Sequence, residues 1–264
     1  MWRLTRFCVV LVWYAGRMTV SGRRLPEAGR LRHIAILQKN GGRRLCRILG
    51  VTVLTKGNIG AGRPVLIVSN HVGLLDSWVL ASQFCVAFAA KIEMAKWPVF
   101  SWIGKSTGLI YVDRESRMST ASFVESVRER MRNGVAVLVF PEGTTNADTQ
   151  LLPFQTGGFA AVAGMSDGFV LPVYIWARML DGSPTTLQTR SAVAWSSSES
   201  MWQNVWKIVG FNSIEIGIVV GELISTEGKE RKELARLSQD QVEALQRSTM
   251  SSGDLMDVPS STIL

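Results

Sequence analysis

Histidine is nearly absent from this chain: His33 and His71 are the only two in 264 residues. The side chain best suited to moving protons near neutral pH therefore has few places to act. Cysteine is scarce as well. Cys8, Cys46 and Cys85 are scattered and odd in number, so neither a disulfide framework nor a cysteine metal cluster is indicated, and a reducing cytosolic setting fits. Acidic residues are missing from one region. Residues 1–50 hold Glu27 alone against ten arginines and one lysine, a net of +10, whereas the remainder carries −2. The overall +8 is thus an N-terminal property and no sign of nucleic-acid binding by the domain. A bilayer-spanning apolar run is also lacking, because residues 7–15 supply about half of the roughly 20 residues needed.

That short run has a recognisable setting. Arg3, Arg6 and Arg17 flank it, and Trp2, Trp13 and Tyr14 suit the headgroup boundary of a membrane. The expectation is an arm lying in the interface of an anionic membrane at its cytoplasmic face, peripheral or monotopic. A signal peptide or an ordinary core helix is the alternative, and against the former no small-residue cleavage site follows the run and arginines continue past it.

Beyond the arm, with 47% hydrophobic and 19% charged residues, the chain reads as one catalytic domain. We expect an arm over residues 1–45, a domain over 46–247 and a Ser-rich disordered tail over 248–264. Apolar, β-branched runs place strands at 51–54, 65–69, 88–90, 109–112, 135–140, 169–175 and 214–220. Between the fourth and fifth, Phe123, Val127 and Met131 recur at helical spacing and Gly134 supplies a stop. An amphipathic helix is expected over 229–247. Strands alternating with helices imply an α/β fold, a mostly parallel sheet of about seven strands flanked by helices.

Three of these strands discharge polar residues at their carboxyl ends, where open α/β sheets build sites. The first delivers His71 to a loop, with Asp76 five positions on to hold the ring or to cap the helix that follows. Another ends at Asp113-Arg114, and a third leaves through Pro141-Glu142-Gly143. Arg114 is either a site cation or half of a surface ion pair. Glu142 is either a site carboxylate or a structural acceptor for loop amides.

Four blocks then occur in order. They are Asn70-His71 to Asp76, Gly108-Leu109-Ile110-Tyr111-Val112-Asp113-Arg114, Phe140-Pro141-Glu142-Gly143-Thr144, and Val170-Leu171-Pro172-Val173-Tyr174-Ile175. Lys91-Ile92-Glu93, Trp97-Pro98 and Leu152-Pro153-Phe154 to Gly157 fall between or after them. Over roughly residues 50–180 the chain resembles the glycerophospholipid acyltransferases typified by 1-acyl-sn-glycerol-3-phosphate acyltransferase. The resemblance implies acyl transfer from acyl-CoA or acyl carrier protein to a lysolipid hydroxyl, foremost lysophosphatidic acid, in phospholipid biosynthesis. His71 is then the general base and Asp76 orients it. Arg114, Glu142, Gly143, Thr144 and Asn70 contact the acceptor, and Val170, Leu171, Pro172 and Val173 form the acyl pocket. The thioester is a co-substrate, and no cofactor or metal is called for. The chain departs from the pattern at Thr145-Asn146, where many members carry an arginine. That leaves room for a neutral or zwitterionic acceptor such as lyso-ornithine lipid or a lysophospholipid. A non-catalytic lipid-binding protein is the alternative of another class.

Gly104-Lys105-Ser106-Thr107-Gly108 matches a hydrolase elbow, yet both histidines precede the serine, against the order that fold uses. It also lacks the first glycine of a phosphate loop, since position 99 is Val99. Lys105 is either a phosphate contact or a solvated surface lysine. Ser69 and Ser77 are expected to point away from His71, and residues 195–206 either form a core helix or rest on lipid.

Overall fold

The computed structural model describes residues 2–22, 25–57, 65–92, 95, 98–112, 117–146, 148, 150–196 and 198–251. In chain order its elements are α1 (Trp2–Gly22), α2 (Glu27–Leu49), β1 (Val51–Lys56), β2 (Val65–Ser69), α3 (Leu74–Gln83), β3 (Val86–Lys91), α4 (Pro98–Thr107), β4 (Ile110–Val112), α5 (Arg117–Arg132), β5 (Ala136–Val139), β6 (Phe169–Leu180), β7 (Ser183–Pro184), α6 (Leu187–Arg190), α7 (Met201–Gly210), β8 (Ile214–Val220), β9 (Ile224–Ser225) and α8 (Arg231–Ser251).

The seven longer strands form one sheet in the order β1-β8-β6-β2-β5-β3-β4, with two-residue β7 and β9 paired to β6. Every neighbouring pair along that order is parallel except β6 with β8, so the expected mostly parallel sheet is present. β2 is buried along its whole length, and strand alternation divides its side chains between two cores. Val65 and Ile67 face a core covered by α1, α2, α3 and α7. Leu66 and Val68 face another, covered by α5 and α8. A fully buried residue such as Val79 or Leu80 of α3 contributes about 1.5–3 kcal/mol.

The N-terminal helices are integral to this packing. Leu45, Cys46, Ile48 and Leu49 of α2 share a core with the sheet, and the Phe7 ring of α1 meets Trp78 edge-on at 4.8 Å. Gly42 permits the tight crossing of α2 on α3, since a Cβ there would lie 2.7 Å from the Trp78 carbonyl oxygen. Arg3 donates to the carbonyls of Phe211 and Asn212, tying α1 to the end of α7. No described helix is long and apolar enough to cross a membrane.

Two expectations need correction. β6 runs five residues past the expected end at Ile175, because its partner β8 continues alongside it to the Leu180–Ile214 pair. α8 carries on through Ser248 to Ser251, part of the expected tail; residues 252–264 lie outside the described residues.

Candidate active site

The β2 strand ends at Ser69, and the next two residues part company. Asn70 is 4% exposed and its amide is spent on β6, donating to the Ile175 carbonyl at 2.9 Å and accepting from the Ile175 N–H at 2.8 Å. It extends the ladder by a side chain. Asn70 is therefore a clamp between strands rather than the acceptor contact expected. His71 instead turns towards a cleft, its imidazole stacked on Phe140 with centroids 3.8 Å apart and planes 10° from parallel.

Asp76 sits at the third position of α3 and reaches back. Its Oδ2 accepts from His71 Nδ1 at 2.9 Å, from the Val72 N–H at 2.6 Å and from the Gly73 N–H at 2.8 Å. One carboxylate thus holds the helix start and the ring, so the two roles weighed for it coexist, although Gly73 and not Asp76 is the N-cap residue. With Nδ1 committed as donor to Asp76, Nε2 carries the lone pair.

A second buried carboxylate frames the loop from the other side. Glu142 Oε1 accepts from the His71 N–H at 3.0 Å, while Oε2 accepts from the Leu152 N–H at 2.9 Å and from Asn146 Nδ2 at 3.3 Å. Burial pushes its carboxyl above the ordinary range against the pull of these bonds. Its oxygens are occupied by the loops and it does not line the cleft, which is the arrangement of a structural acceptor for loop amides. Gly143 and Thr144 do line the cleft. Gly143 closes the turn begun at Phe140 with φ at +77°, a conformation that favours glycine.

The cleft measures about 920 Å³. Its polar end gathers His71, Gly143, Thr144, Thr145, Gln155, Trp195, Ser196, Glu199 and Ser200. Its apolar end runs under the helices, past Tyr14 and Met18 of α1, Gly41 of α2, Trp78 of α3, Ala90 of β3 and Ile103 of α4. Such a channel accepts a hydrocarbon chain with its carbonyl at the imidazole. Val170, Leu171, Pro172 and Val173 lie inside β6, paired with β2, and none of them borders this space. The apolar walls of the cleft instead come from α1 to α4 and β3. Lys105 is exposed on α4 and does not line the cleft either. Arg114, with Asp113, lies outside the described residues. Ser77, expected to point elsewhere, lines the cleft, while Ser69 is fully buried.

Residues not singled out from the sequence complete the polar rim. Trp195 N–H donates to the Val72 carbonyl at 3.0 Å and Thr145 Oγ1 donates to the Trp195 carbonyl at 2.6 Å, which sets Trp195 beside the His71 loop. The helix expected after it is amphipathic: Val205 and Ile208 enter the core, and Trp202 and Trp206 face outward.

The acyltransferase family profile matches residues 50–176. The chain is 30% identical over 213 residues to the lyso-ornithine lipid O-acyltransferase of Brucella abortus, covering 78% of this chain and 80% of that one. The chain belongs to the acyltransferase family. Its activity is O-acyl transfer in lipid metabolism. A 1-acyl-sn-glycerol-3-phosphate acyltransferase of Neisseria meningitidis is 31% identical over 173 residues, 60% of this chain and 61% of that one. The crystal structure of the 1-acyl-sn-glycerophosphate acyltransferase PlsC from Thermotoga maritima shares the fold, with a TM-score of 0.66 at 20% identity over 94% of this chain and 98% of that one.

Proposed function

We propose that this acyltransferase transfers a fatty acyl group from a thioester, acyl-CoA or acyl carrier protein, to the free hydroxyl of a lyso-ornithine lipid, with His71 as general base. The imidazole Nε2 takes the hydroxyl proton as the oxygen bonds to the thioester carbonyl carbon. The carbon–sulfur bond then breaks, and the departing thiolate takes the proton back from Nε2. Asp76 holds Nδ1–H and favours the imidazolium that forms between the two steps. An ester and a free thiol result, with no covalent enzyme intermediate.

The observation that carries the acceptor is the polar end of the cleft. Where many relatives place an arginine, Thr145 is bonded to Trp195, and Asn146 to Glu142 and the Gln150 carbonyl. Among the described residues, the one fixed cation lining the cleft is Lys91, at the exposed end of β3, two strands from β2 in the sheet. A phosphate monoester calls for charge-assisted donors close to the reacting hydroxyl. An ornithine head, whose carboxylate is offset by its own ammonium, carries no net charge and calls for them less. Of the two sequence relatives named above, the Brucella enzyme, which is matched over more of its length, is also of that name.

Lysophosphatidic acid is the competing acceptor, named for the Neisseria relative. Incubating purified enzyme with acyl-CoA and equal amounts of lyso-ornithine lipid, lysophosphatidic acid and lysophosphatidylcholine, with products weighed by mass spectrometry, separates them. Faster acylation of lysophosphatidic acid than of lyso-ornithine lipid overturns the acceptor assignment.

The outer face of α1 exposes Trp2, Val9, Val12, Trp13 and Val20, with Arg6 stacked over Trp2 and Arg17 over Trp13. This helix would lie in the interface at the cytoplasmic face of the membrane and open the cleft beneath it to lipid. Because α1 and α2 belong to the core, the test is a pair of surface substitutions, Trp2→Ser with Trp13→Ser, rather than removal of the arm. Vesicle binding should fall about tenfold or more; unchanged binding would move the contact elsewhere.

A further inference from the structure

We infer that Glu199, held at the cleft rim by Lys207, recognises the ammonium group of the acceptor head. This rests on the lyso-ornithine reading and names the residue that would make it selective. The rim segment is pinned from both sides. Trp195 and Thr145 bind it to the His71 loop, as described above. From beneath, Asn204 of α7 donates to the Ala194 carbonyl at 2.9 Å, and Lys207 Nζ donates to the same carbonyl at 2.9 Å. Trp195 Nε1 donates to the Glu199 carbonyl at 2.9 Å, which closes the loop on itself. Trp195, Ser196, Glu199 and Ser200 consequently line the cleft at its His71 end.

The capacity of the ion pair decides the sign of the ligand. Lys207 Nζ bonds to Glu199 Oε1 at 2.8 Å, to Oε2 at 2.7 Å and to the Ala194 carbonyl. An ammonium has three N–H donors and no acceptor, so Lys207 is saturated. A carboxylate offers about four lone-pair sites. Two serve Lys207 and one accepts from the Ser196 amide, which leaves acceptor capacity. Lys207 also holds the Glu199 carboxyl below the usual range, so the group is ionised at neutral pH. What remains at the rim is carboxylate acceptor capacity beside a cation with no donor left to give. It suits a protonated amine, and offers a phosphate no N–H to accept from.

The test compares lyso-ornithine lipid with its δ-N-acetyl derivative, which lacks the ammonium, using wild-type enzyme, Glu199→Gln and Glu199→Asp. The expected result is that wild type favours the free amine by about tenfold in kcat/KM, the cost of one charge-assisted hydrogen bond. Glu199→Gln should raise KM for the free amine about tenfold more than for the acetylated lipid, with the thioester KM moving little. Glu199→Asp should restore the preference. A residue that only anchors the loop would affect both acceptors equally, and equal losses overturn the inference. Should Glu199→Gln fail to fold, the wild-type ratio alone decides, and a ratio near one overturns it. If wild type acylates lysophosphatidic acid but not lyso-ornithine lipid, the acceptor assignment fails and takes this inference with it. If lyso-ornithine lipid is acylated without any dependence on its amine, the inference alone fails.

Discussion

The two ends of the cleft are built by different means. At the polar end, two buried carboxylates hold the His71 loop by its backbone: Asp76 takes the amides of Val72 and Gly73, and Glu142 takes those of His71 and Leu152. At the apolar end the walls are side chains on α1, α2, α3, α4 and β3, held mainly by packing, with single hydrogen bonds such as Thr19 to Ser106 and Gln38 to the Thr107 carbonyl joining the helices. Reaction geometry is thus set by directional bonds within a few residues of sequence, and chain accommodation by diffuse contacts among distant elements. Disturbing one end should change turnover for every substrate. Disturbing the other should change which chains are used.

After the histidine itself, the largest effect should come from Asp76→Asn. Oδ2 accepts three N–H groups, and a neutral amide oxygen in its place is a weaker acceptor that no longer stabilises the imidazolium. A loss of about 10²–10⁴ in kcat is expected, the same for short and long acyl donors. A chain-length-dependent loss would break the separation between the two ends.

Glu142→Gln should cost less, roughly tenfold in turnover, together with about 1–3 kcal/mol of stability, because one loop amide loses its acceptor. The pH dependence has a definite sign. The folded protein holds the Glu142 proton more tightly than the unfolded chain does, so this group makes the wild type lose stability as pH rises from the usual glutamate range through the raised value. The variant lacks that slope. Melting temperatures of both proteins across mildly acidic pH would show it, and parallel curves would refute it.

Ala90→Trp narrows the apolar end and should lower kcat/KM for long acyl donors about tenfold while changing short ones less than about threefold. Equal effects on both would mean that the chain runs elsewhere. The smallest effect concerns thiols. Burial raises the Cys46 thiol to about 12, whereas Cys85 is exposed. Alkylation of the native protein near neutral pH should label Cys85 and spare Cys46, as peptide mapping would report.

This contrast also explains what was legible in the sequence. His71 and Asp76 are close in the chain, follow a strand with an unmistakable apolar pattern, and meet at 2.9 Å. The parallel sheet followed from alternating strands and helices, and β2 and β8 have the expected bounds. The role of Glu142 did not follow, because its donors at Leu152 and Asn146 are set by how the next loop folds back. Asn70 read as a site residue for a similar reason: nothing local shows that its amide meets Ile175, a hundred residues on. The resemblance implied an acyl pocket at Val170 to Val173, but these residues pair with β2 inside the sheet and do not border the cleft, which nothing in their own sequence shows. Tyr14 and Met18 were hidden in an arm whose basic composition spoke only of its outer face. Glu199 belongs to no motif and is found at the rim only because Trp195 pairs with Val72.

The most direct test of the account is a mass-resolved assay of wild type and His71→Ala side by side, with the same acyl-CoA and lysolipid and both proteins shown to be equally folded. The account predicts diacylated product from wild type and a rate at least about 10² lower from the variant, with acyl-CoA still bound in the apolar cleft. A His71→Ala enzyme that retains more than about a tenth of wild-type turnover would contradict it, since a general base contributes at least about 10².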